Sequence, residues 1–300
     1  MNCEEVKIIR VAIIGAGAMG EWLADFAKKQ LGDVLIYDID ERKATRVARK
    51  LDVRAAKSLD EVRDADISIV SVPISKTPEV LNEVSAKLKD GALLMDIAST
   101  KSEAVAAMKR IKAEIELVSL HPLFGPGAKS VSGKDFIAIP VKPGKRYAEF
   151  KKILIKLGAR VTEMNEDEHD RLMATVQCLT HFLLISYIAS LKSMNLKKLG
   201  QVRTPLFDSL LNLAKAILVS NPDLYCEIQS FNKYSHLARE KLLESCRALD
   251  AAFEARECER IRKIFEDATK MWGEREVKNA YRRLYKYFEW GELEGGDPRA

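Results

Sequence analysis

Three glycines near the amino terminus have the spacing of a phosphate-binding turn. Gly15, Gly17 and Gly20 form the pattern G-x-G-x-x-G directly after the short apolar run 11–14. Apolar residues then recur at helical spacing, so the predicted order is strand, turn and helix. Free backbone N–H groups and the positive end of the helix dipole at such a turn favour an anion. In this context the pattern predicts the pyrophosphate site of a dinucleotide.

An acidic residue at the end of the next predicted strand suits the ribose of such a ligand. The run 34–37 is followed by Asp38, 21 residues after Gly17. A carboxylate there accepts hydrogen bonds from ribose hydroxyls and repels a 2′-phosphate, so the expected cofactor is NAD. Arg42, four residues on, is a cation that could instead accept that phosphate. The expected cofactor contacts are Gly15, Gly17, Ala18, Met19, Gly20, Asp38, Ser71 and Pro73.

Polar residues follow the later apolar runs of the first half of the chain. In open α/β sheets, ligands bind beyond the carboxyl ends of the strands. The candidates are Ser71 and Pro73 at the end of 67–72, Ser99, Thr100 and Lys101 after 93–97, and His121 after 117–120. We expect all of them to face the nicotinamide side of the crevice.

His121 is the candidate proton acceptor among these residues. It stands in the segment 119–128, whose two prolines and two glycines predict a stiff loop. A histidine has an ordinary pKa of about 6.5, so it can take a proton near neutral pH. The alternative is a histidine that is hydrogen-bonded in the loop for structure alone.

The elements that must position these residues change type along the chain. Strand and helix patterns alternate up to about residue 165, which predicts a doubly wound, mostly parallel sheet of the Rossmann type. Beyond this point apolar residues recur only at helical spacing. We therefore expect a dinucleotide-binding domain in 1–165, an all-α substrate and dimerisation domain in 166–290, and a tail or linker in 291–300.

Composition excludes several classes of function. The 300 residues carry 49 basic and 44 acidic side chains, interspersed, with a formal net charge of +5. This pattern does not predict nucleic-acid binding, and the longest apolar run, 182–191, is too short to span a bilayer. The five cysteines have no metal-ligand spacing, so we expect reduced thiols, no metal site and a cytoplasmic protein without membrane contact.

Six segments of the chain resemble the prephenate dehydrogenase family, and the fourth is the most specific. They are Gly-Ala-Gly-Ala-Met-Gly at 15–20, Val-Ser-Val-Pro at 70–73, Asp-Ile-Ala-Ser-Thr-Lys at 96–101, His-Pro-Leu-Phe-Gly-Pro at 121–126, Gln-Cys-Leu-Thr-His-Phe at 177–182 and Asn-Pro-Asp-Leu-Tyr at 221–225. The resemblance implies a nucleotide-binding domain followed by a helical dimerisation domain, and a homodimer. The implied reaction converts prephenate and NAD(P)⁺ to 4-hydroxyphenylpyruvate, CO₂ and NAD(P)H on the route to tyrosine.

The resemblance also implies roles for individual residues. His121 would take the proton of the substrate's ring hydroxyl, and Ser99 would orient that hydroxyl or the His121 side chain. His181 and Gln177 would lie on the substrate side. His169 and His236 read as surface residues of helices, and we assign them no role.

One position departs from the family pattern. An arginine that binds the side-chain carboxylate of the substrate usually lies six residues before the proline of the Asn-Pro segment, where this chain has Ala216. Lys215, Arg203 or a cation from a partner subunit could replace it. Arogenate, a β-hydroxyacid dehydrogenase-type reaction and a nucleotide sensor without turnover remain as alternatives.

Overall fold

The computed structural model describes residues 9–199, 201–202 and 204–293, and the chain divides into two compact units. The first unit runs to Met173 and also includes Cys226–Lys233, whereas the second comprises Ala174–Tyr225 and the chain from Tyr234 onward. The predicted change of element type near residue 165 lies between the last strand and the next helix. The first compact unit nevertheless continues through that helix, so a domain boundary at 165 stays a prediction.

The first unit contains one eight-stranded sheet. Its strands are β1 Ile9–Ile14, β2 Gly32–Tyr37, β3 Arg54–Ala55, β4 Ile67–Val70, β5 Leu93–Asp96, β6 Glu116–Pro122, β7 Asp135–Lys142 and β8 Arg160–Glu163. They lie in the order β3-β2-β1-β4-β5-β6-β7-β8, and β1 to β6 run parallel. β7 is antiparallel to β6, and β8 is parallel to β7. β8 therefore forms one edge of the sheet.

Helices cover both faces of this sheet, which explains why most residues of its central strands are apolar and buried. The helices of this part of the chain are α1 Ala18–Gln30, α2 Glu41–Leu51, α3 Thr77–Ser85, α4 Ser102–Met108, α5 Lys145–Lys156 and α6 Glu166–Met173. One core packs α1, α2 and α5 against the sheet, and a second core packs α3 and α4 against the opposite face. This is the doubly wound architecture that the sequence predicts.

In the part of the second unit that the structure describes, every regular element is a helix. A π-helical segment, Ala174–Leu179, leads into α7 Thr180–Ser190, and the later helices of this unit are α8 Leu196–Leu199, α9 Pro205–Ala216, α11 Ser235–Glu254, α12 Cys258–Trp272 and α13 Glu274–Leu293. Helix α10, Pro222–Phe231, begins in the second unit, and its residues from Cys226 onward belong to the first. Helix α13 crosses the predicted start of the tail at residue 291, and residues 294–300 lie outside the described range.

One continuous helix, Glu166–Ser190, is long and apolar enough to cross a membrane by length and composition. It joins α6, the π-helical segment and α7, so it exceeds the apolar run 182–191 that the sequence shows. Its first turns carry charged residues, and similar helices also occur in protein cores and subunit interfaces. The absence of membrane contact stays a prediction.

Candidate active site

The glycine turn has the close contacts that a dinucleotide loop requires. Gly15 has a φ of +108°, and a Cβ on it would lie 2.1 Å from the carbonyl oxygen of Ser71. A Cβ on Gly20 would lie 1.8 Å from the carbonyl oxygen of Gly15. Beside Gly17, in contrast, a Cβ would meet no heavy atom within 4 Å. Two glycines therefore serve the tight turn, while the third leaves open space next to the helix N-terminus, as a pyrophosphate requires.

Asp38 lies directly after β2 and contacts this turn. Its carboxylate accepts hydrogen bonds from the backbone N–H of Ala16 at 2.7 Å and of Asp40 at 2.9 Å. Helix α1 begins at Ala18 and Met19, with Gly17 as its N-cap and no capping side chain. The first N–H groups of α1 thus remain available to a ligand. The turn, the helix start and the acidic residue fit a dinucleotide in the predicted positions.

The loop after β4 is held by a residue that sequence reasoning did not identify. Ser71 continues the pairing of β4 with β1 through its N–H, which donates to Ile14 at 2.7 Å. Pro73 precedes a short 3₁₀ helix, and the carboxylate of Glu227 accepts from the N–H of Ile74 at 2.7 Å and from the hydroxyl of Ser75 at 2.5 Å. Glu227 belongs to the segment 226–233 of the first unit.

Ser99 and His121 lie at the same end of two neighbouring parallel strands. β5 and β6 are paired with Asp96 opposite Ser119, and Ser99 and His121 follow three and two residues later. Ser99 is half-buried in the loop after β5. His121 lies within β6, paired with Ile137 of β7, and only 3% of its surface is exposed. The strand, rather than the loop that the prolines and glycines predict, holds the imidazole.

A chain of hydrogen bonds runs from His121 into the protein. Nδ1 of His121 is 2.8 Å from Nε2 of His169, and Nδ1 of His169 is 2.8 Å from Oδ1 of Asp170. His169 and Asp170 are completely buried. The surface position expected for His169 is therefore wrong. The Glu-Asp-Glu-His-Asp run resembles an exposed first helical turn, but one face of α6 is inside the core.

The carboxylate of Asp170 is held by the start of α4. It accepts from the backbone N–H of Lys101 at 2.9 Å, from the N–H of Ser102 at 3.1 Å and from the hydroxyl of Ser102 at 2.6 Å. These hydrogen bonds, together with the bond to His169, keep the pKa of Asp170 below its usual value although burial acts in the opposite direction. Asp170 is thus an ionised carboxylate.

Lys101 does not face the crevice as expected, because its side chain is fully buried. Its ammonium group donates to Asp96 at 2.9 Å and to the carbonyl oxygen of Leu120 at 2.8 Å. Both side chains of the ion pair have no exposed surface. A buried charge of this kind is tolerated only when it is paired and hydrogen-bonded. The pair connects the ends of β5 and β6 directly behind His121.

The surroundings of His121 keep it neutral. Burial lowers the pKa of His121 well below 6.5, and positive charge on His169 or Lys101 lowers it further. Burial also lowers the pKa of His169. Within the described residues, the side chain of His121 forms one hydrogen bond, through Nδ1, and its Nε2 has no partner. A neutral imidazole with a free nitrogen can accept a proton.

Gln177 and His181 belong to the second unit. Gln177 lies in the π-helical segment, and His181 lies in the first turn of α7 with its ring edge-on to Tyr225 at 4.8 Å. Among the described residues, Oε1 of Gln177 and Nδ1 of His181 are buried without a hydrogen-bond partner. Burial lowers the pKa of His181. π-Helical segments are frequent at functional sites, and unpaired buried polar atoms favour a ligand.

The candidate cations for the substrate carboxylate are only partly described. Lys215 lies exposed in the last turn of α9, next to the exposed Ala216. Arg203 lies outside the described residues. Their role stays a prediction.

Comparison with known proteins identifies the family. Residues 23–163 match the family model of the prephenate dehydrogenase nucleotide-binding domain, and residues 165–267 match that of the prephenate dehydrogenase dimerization domain. The chain belongs to the prephenate dehydrogenase family. Both domains occur in the order that the resemblance implies.

Two curated family members show the range of names among its relatives. A probable arogenate/prephenate dehydrogenase of Methanocaldococcus jannaschii is 31% identical over 281 residues, which cover 91% of this chain but 63% of that protein. A 4-amino-4-deoxyprephenate dehydrogenase of Streptomyces pristinaespiralis is 26% identical over 270 residues, or 88% of this chain and 91% of that one. The chain thus spans less than two thirds of the Methanocaldococcus protein.

A solved structure has the same fold. Prephenate dehydrogenase of Aquifex aeolicus, in complex with hydroxyphenyl propionate and NAD⁺, superposes with a TM-score of 0.71 over 93% of this chain and 99% of that one. The sequence identity is 22%, so the likeness concerns the fold. A Rossmann-type sheet followed by a helical dimerization domain is therefore the architecture of this family member.

Proposed function

We propose that this member of the prephenate dehydrogenase family catalyses the NAD-dependent oxidative decarboxylation of prephenate to 4-hydroxyphenylpyruvate in tyrosine biosynthesis. The observation that carries the proposal is the neutral, buried His121 near the end of β6, whose Nε2 has no hydrogen-bond partner among the described residues. An acceptor of this kind is required to take the proton of a ring hydroxyl during oxidation. The glycine turn and Asp38 supply the dinucleotide site on the same sheet edge.

The proton and electron balance assigns His121 two steps. Nε2 takes the hydroxyl proton as the hydrogen on C4 leaves with its electron pair, and C4 becomes a carbonyl carbon. NAD⁺, when bound, supplies the acceptor for that hydride. The bond between the ring and its carboxylate then breaks and CO₂ leaves. The electron pair of that bond stays with the ring, which becomes an aromatic phenolate. His121 returns its proton to the phenolate oxygen, so no net proton is released. Ser99 orients the hydroxyl or the imidazole.

NAD rather than NADP is the proposed cofactor. Asp38 places a carboxylate just after β2, where it accepts hydrogen bonds from the backbone N–H groups of Ala16 and Asp40. Negative charge fixed in this position opposes a 2′-phosphate and suits a ribose diol. Arg42 is exposed at the start of α2 and is the competing cation.

Substrate binding is proposed for residues of the helical half. His181 and Gln177 each have a buried polar atom that lacks a partner among the described residues, and a bound substrate would satisfy both. The side-chain carboxylate is remote from the reacting atoms and is the natural anchor. Lys215, Arg203 or a cation of the second subunit of a homodimer would bind it, and alanine at the true partner should raise KM about 10-fold.

Arogenate is the second candidate substrate. It carries the same ring hydroxyl, so the chemistry at His121 would be unchanged, and the name of the Methanocaldococcus relative includes both substrates. With either substrate, we propose that the enzyme is cytoplasmic.

The deciding experiment measures NADH formation by the purified chain with prephenate and with arogenate. We expect turnover with prephenate and a higher kcat/KM for it than for arogenate. His121→Asn should lower kcat by about 10²–10⁴-fold, the usual contribution of a positioned base, while NAD⁺ still binds. His236→Asn is the matched control, because His236 is exposed on α11. No turnover with either substrate, or an unaffected His121→Asn variant, would contradict the proposal.

A further inference from the structure

The hydrogen-bond chain behind His121 determines which of its nitrogens carries the hydrogen. Asp170 is an ionised carboxylate with four hydrogen-bond donors around it, so it can only accept. The ring nitrogen of His169 that faces it, Nδ1, must therefore carry hydrogen. His169 is neutral because burial lowers its pKa, so its Nε2 is a lone pair.

The next link follows from the same reasoning. Nε2 of His169 lies 2.8 Å from Nδ1 of His121, and two nitrogens at this distance need one hydrogen between them. Because Nε2 of His169 is a lone pair, Nδ1 of His121 is the donor. His121 is neutral, so its hydrogen is on Nδ1 and its Nε2 is a lone pair. This tautomer is the one in which Nε2 can accept a proton.

We propose that His169 and Asp170 are positioning residues that fix the tautomer and the orientation of His121. The proposal rests on the proposed function in so far as it concerns catalysis. The pair also offsets the free-energy cost of the buried imidazolium that forms when His121 takes the proton. Asp170 is the nearest buried anion to it along the chain of hydrogen bonds. The arrangement is similar to the carboxylate that orients a catalytic histidine in hydrolases, except that here His169 lies between the carboxylate and His121.

The charged groups around His121 are consistent with this role. Lys101 and Asp96 form a closed ion pair behind the strand, so the Lys101 ammonium already has two acceptors and does not compete for His169. The backbone N–H groups of Lys101 and Ser102 fix the Asp170 carboxylate. Because these N–H groups hold Asp170 and Asp170 in turn holds His169, the His121 ring has one hydrogen-bonded orientation.

The tautomers can be observed directly, without turnover. The chain has four histidines, so two-bond ¹H–¹⁵N spectra of the ¹⁵N-labelled protein can be assigned by replacing them one at a time. We expect both His121 and His169 to be protonated at Nδ1 near neutral pH. Protonation of His121 at Nε2, or a mixture of both tautomers, would overturn the proposal. This measurement stands even if neither substrate is turned over, so its failure is distinct from failure of the proposed function.

Kinetics then separate positioning from a purely structural role. His169→Leu removes the acceptor for Nδ1 of His121, whereas the side-chain oxygen of His169→Gln can still accept that hydrogen bond. We expect His169→Leu to lower kcat by about 10–100-fold with KM and NAD⁺ affinity changed less than about 2-fold, and His169→Gln to recover most of kcat. Equal losses in both variants, or a loss of NAD⁺ affinity alone, would contradict it. If His169→Leu does not fold, the spectra of the wild-type chain still show which tautomer His121 adopts and so test the proposal.

Discussion

At the scale of single residues, the charge state of His121 sets the pH range of activity. Burial and nearby positive charge hold the pKa of His121 well below 6.5, so the imidazole is neutral at neutral pH and becomes protonated only in acid. A protonated imidazole cannot accept the substrate proton. We expect kcat/KM to be constant near pH 7 and to fall on the acid side with a midpoint below pH 6.5. A pH profile of kcat/KM checks this. A midpoint above 6.5 would show that the limiting group is not a buried His121.

The charge of Asp38 should decide between the two nicotinamide cofactors. Asp38→Asn keeps an oxygen that can accept from Ala16 but removes the negative charge. We expect the ratio of kcat/KM for NAD⁺ to that for NADP⁺ to fall by about 10-fold, which corresponds to about 1.4 kcal/mol. Asp40→Asn is the control, since asparagine caps helix α2 as well as aspartate does. A higher kcat/KM with NADP⁺ in the wild-type chain would refute the role assigned to Asp38.

At the scale of elements, two glycines of the turn have different roles: Gly15 is required for folding, and Gly17 for cofactor binding. Gly17 has a φ of −72° as the N-cap of α1, and a Cβ there meets no protein atom within 4 Å. Gly17→Ala should therefore leave Tm almost unchanged but raise KM for NAD⁺ about 10-fold or more, because the methyl group occupies the space that the pyrophosphate needs.

Gly15→Ala is the contrasting variant in the same turn. Its Cβ would lie 2.1 Å from the Ser71 carbonyl oxygen at a φ of +108°, so we expect a large loss of stability. Thermal unfolding and NAD⁺ titration of the two variants test the pair. Equal loss of Tm in both would show that the space beside Gly17 is not available to a ligand.

At the scale of the whole molecule, the helical half exposes side chains that a subunit interface would bury. In α12, Phe265 and Trp272 are 71% and 62% exposed, and Leu237 of α11 is 52% exposed. Scattered exposed apolar residues are ordinary, but large aromatic ones on helices of a dimerization domain favour a second copy of the chain.

A dimer is therefore the expected species in solution. Sedimentation equilibrium should give about twice the chain mass of 33.7 kDa. The double variant Phe265→Asp and Trp272→Asp should shift the protein toward monomer, since charge is unfavourable in an apolar interface. The same aspartate substitution at the exposed polar residue Lys263 of α12 is the control. A wild-type chain that sediments as a monomer would refute the dimer.

The sequence by itself determined the features that depend on neighbouring residues in the chain. A strand, a glycine turn and a helix follow each other within residues 9–30, so spacing and residue type were enough to predict the dinucleotide turn. The placement of Ser99 and His121 at one sheet edge followed from a general rule of parallel sheets. Local patterns also predicted the change from alternating elements to helices near residue 165.

Only the tertiary structure decided the surroundings of those residues. His121 meets His169 across 48 residues of chain, and Lys101 closes an ion pair in the core that its loop position does not indicate. Considered alone, an aspartate and a lysine such as Asp170 and Lys101 are expected at the surface, because an unpaired buried charge is unfavourable. Burial becomes possible only when distant segments bring the partners together, and no local pattern encodes that meeting. The charge and the tautomer of His121 are therefore properties of the fold, whereas its presence at the strand end is a property of the sequence.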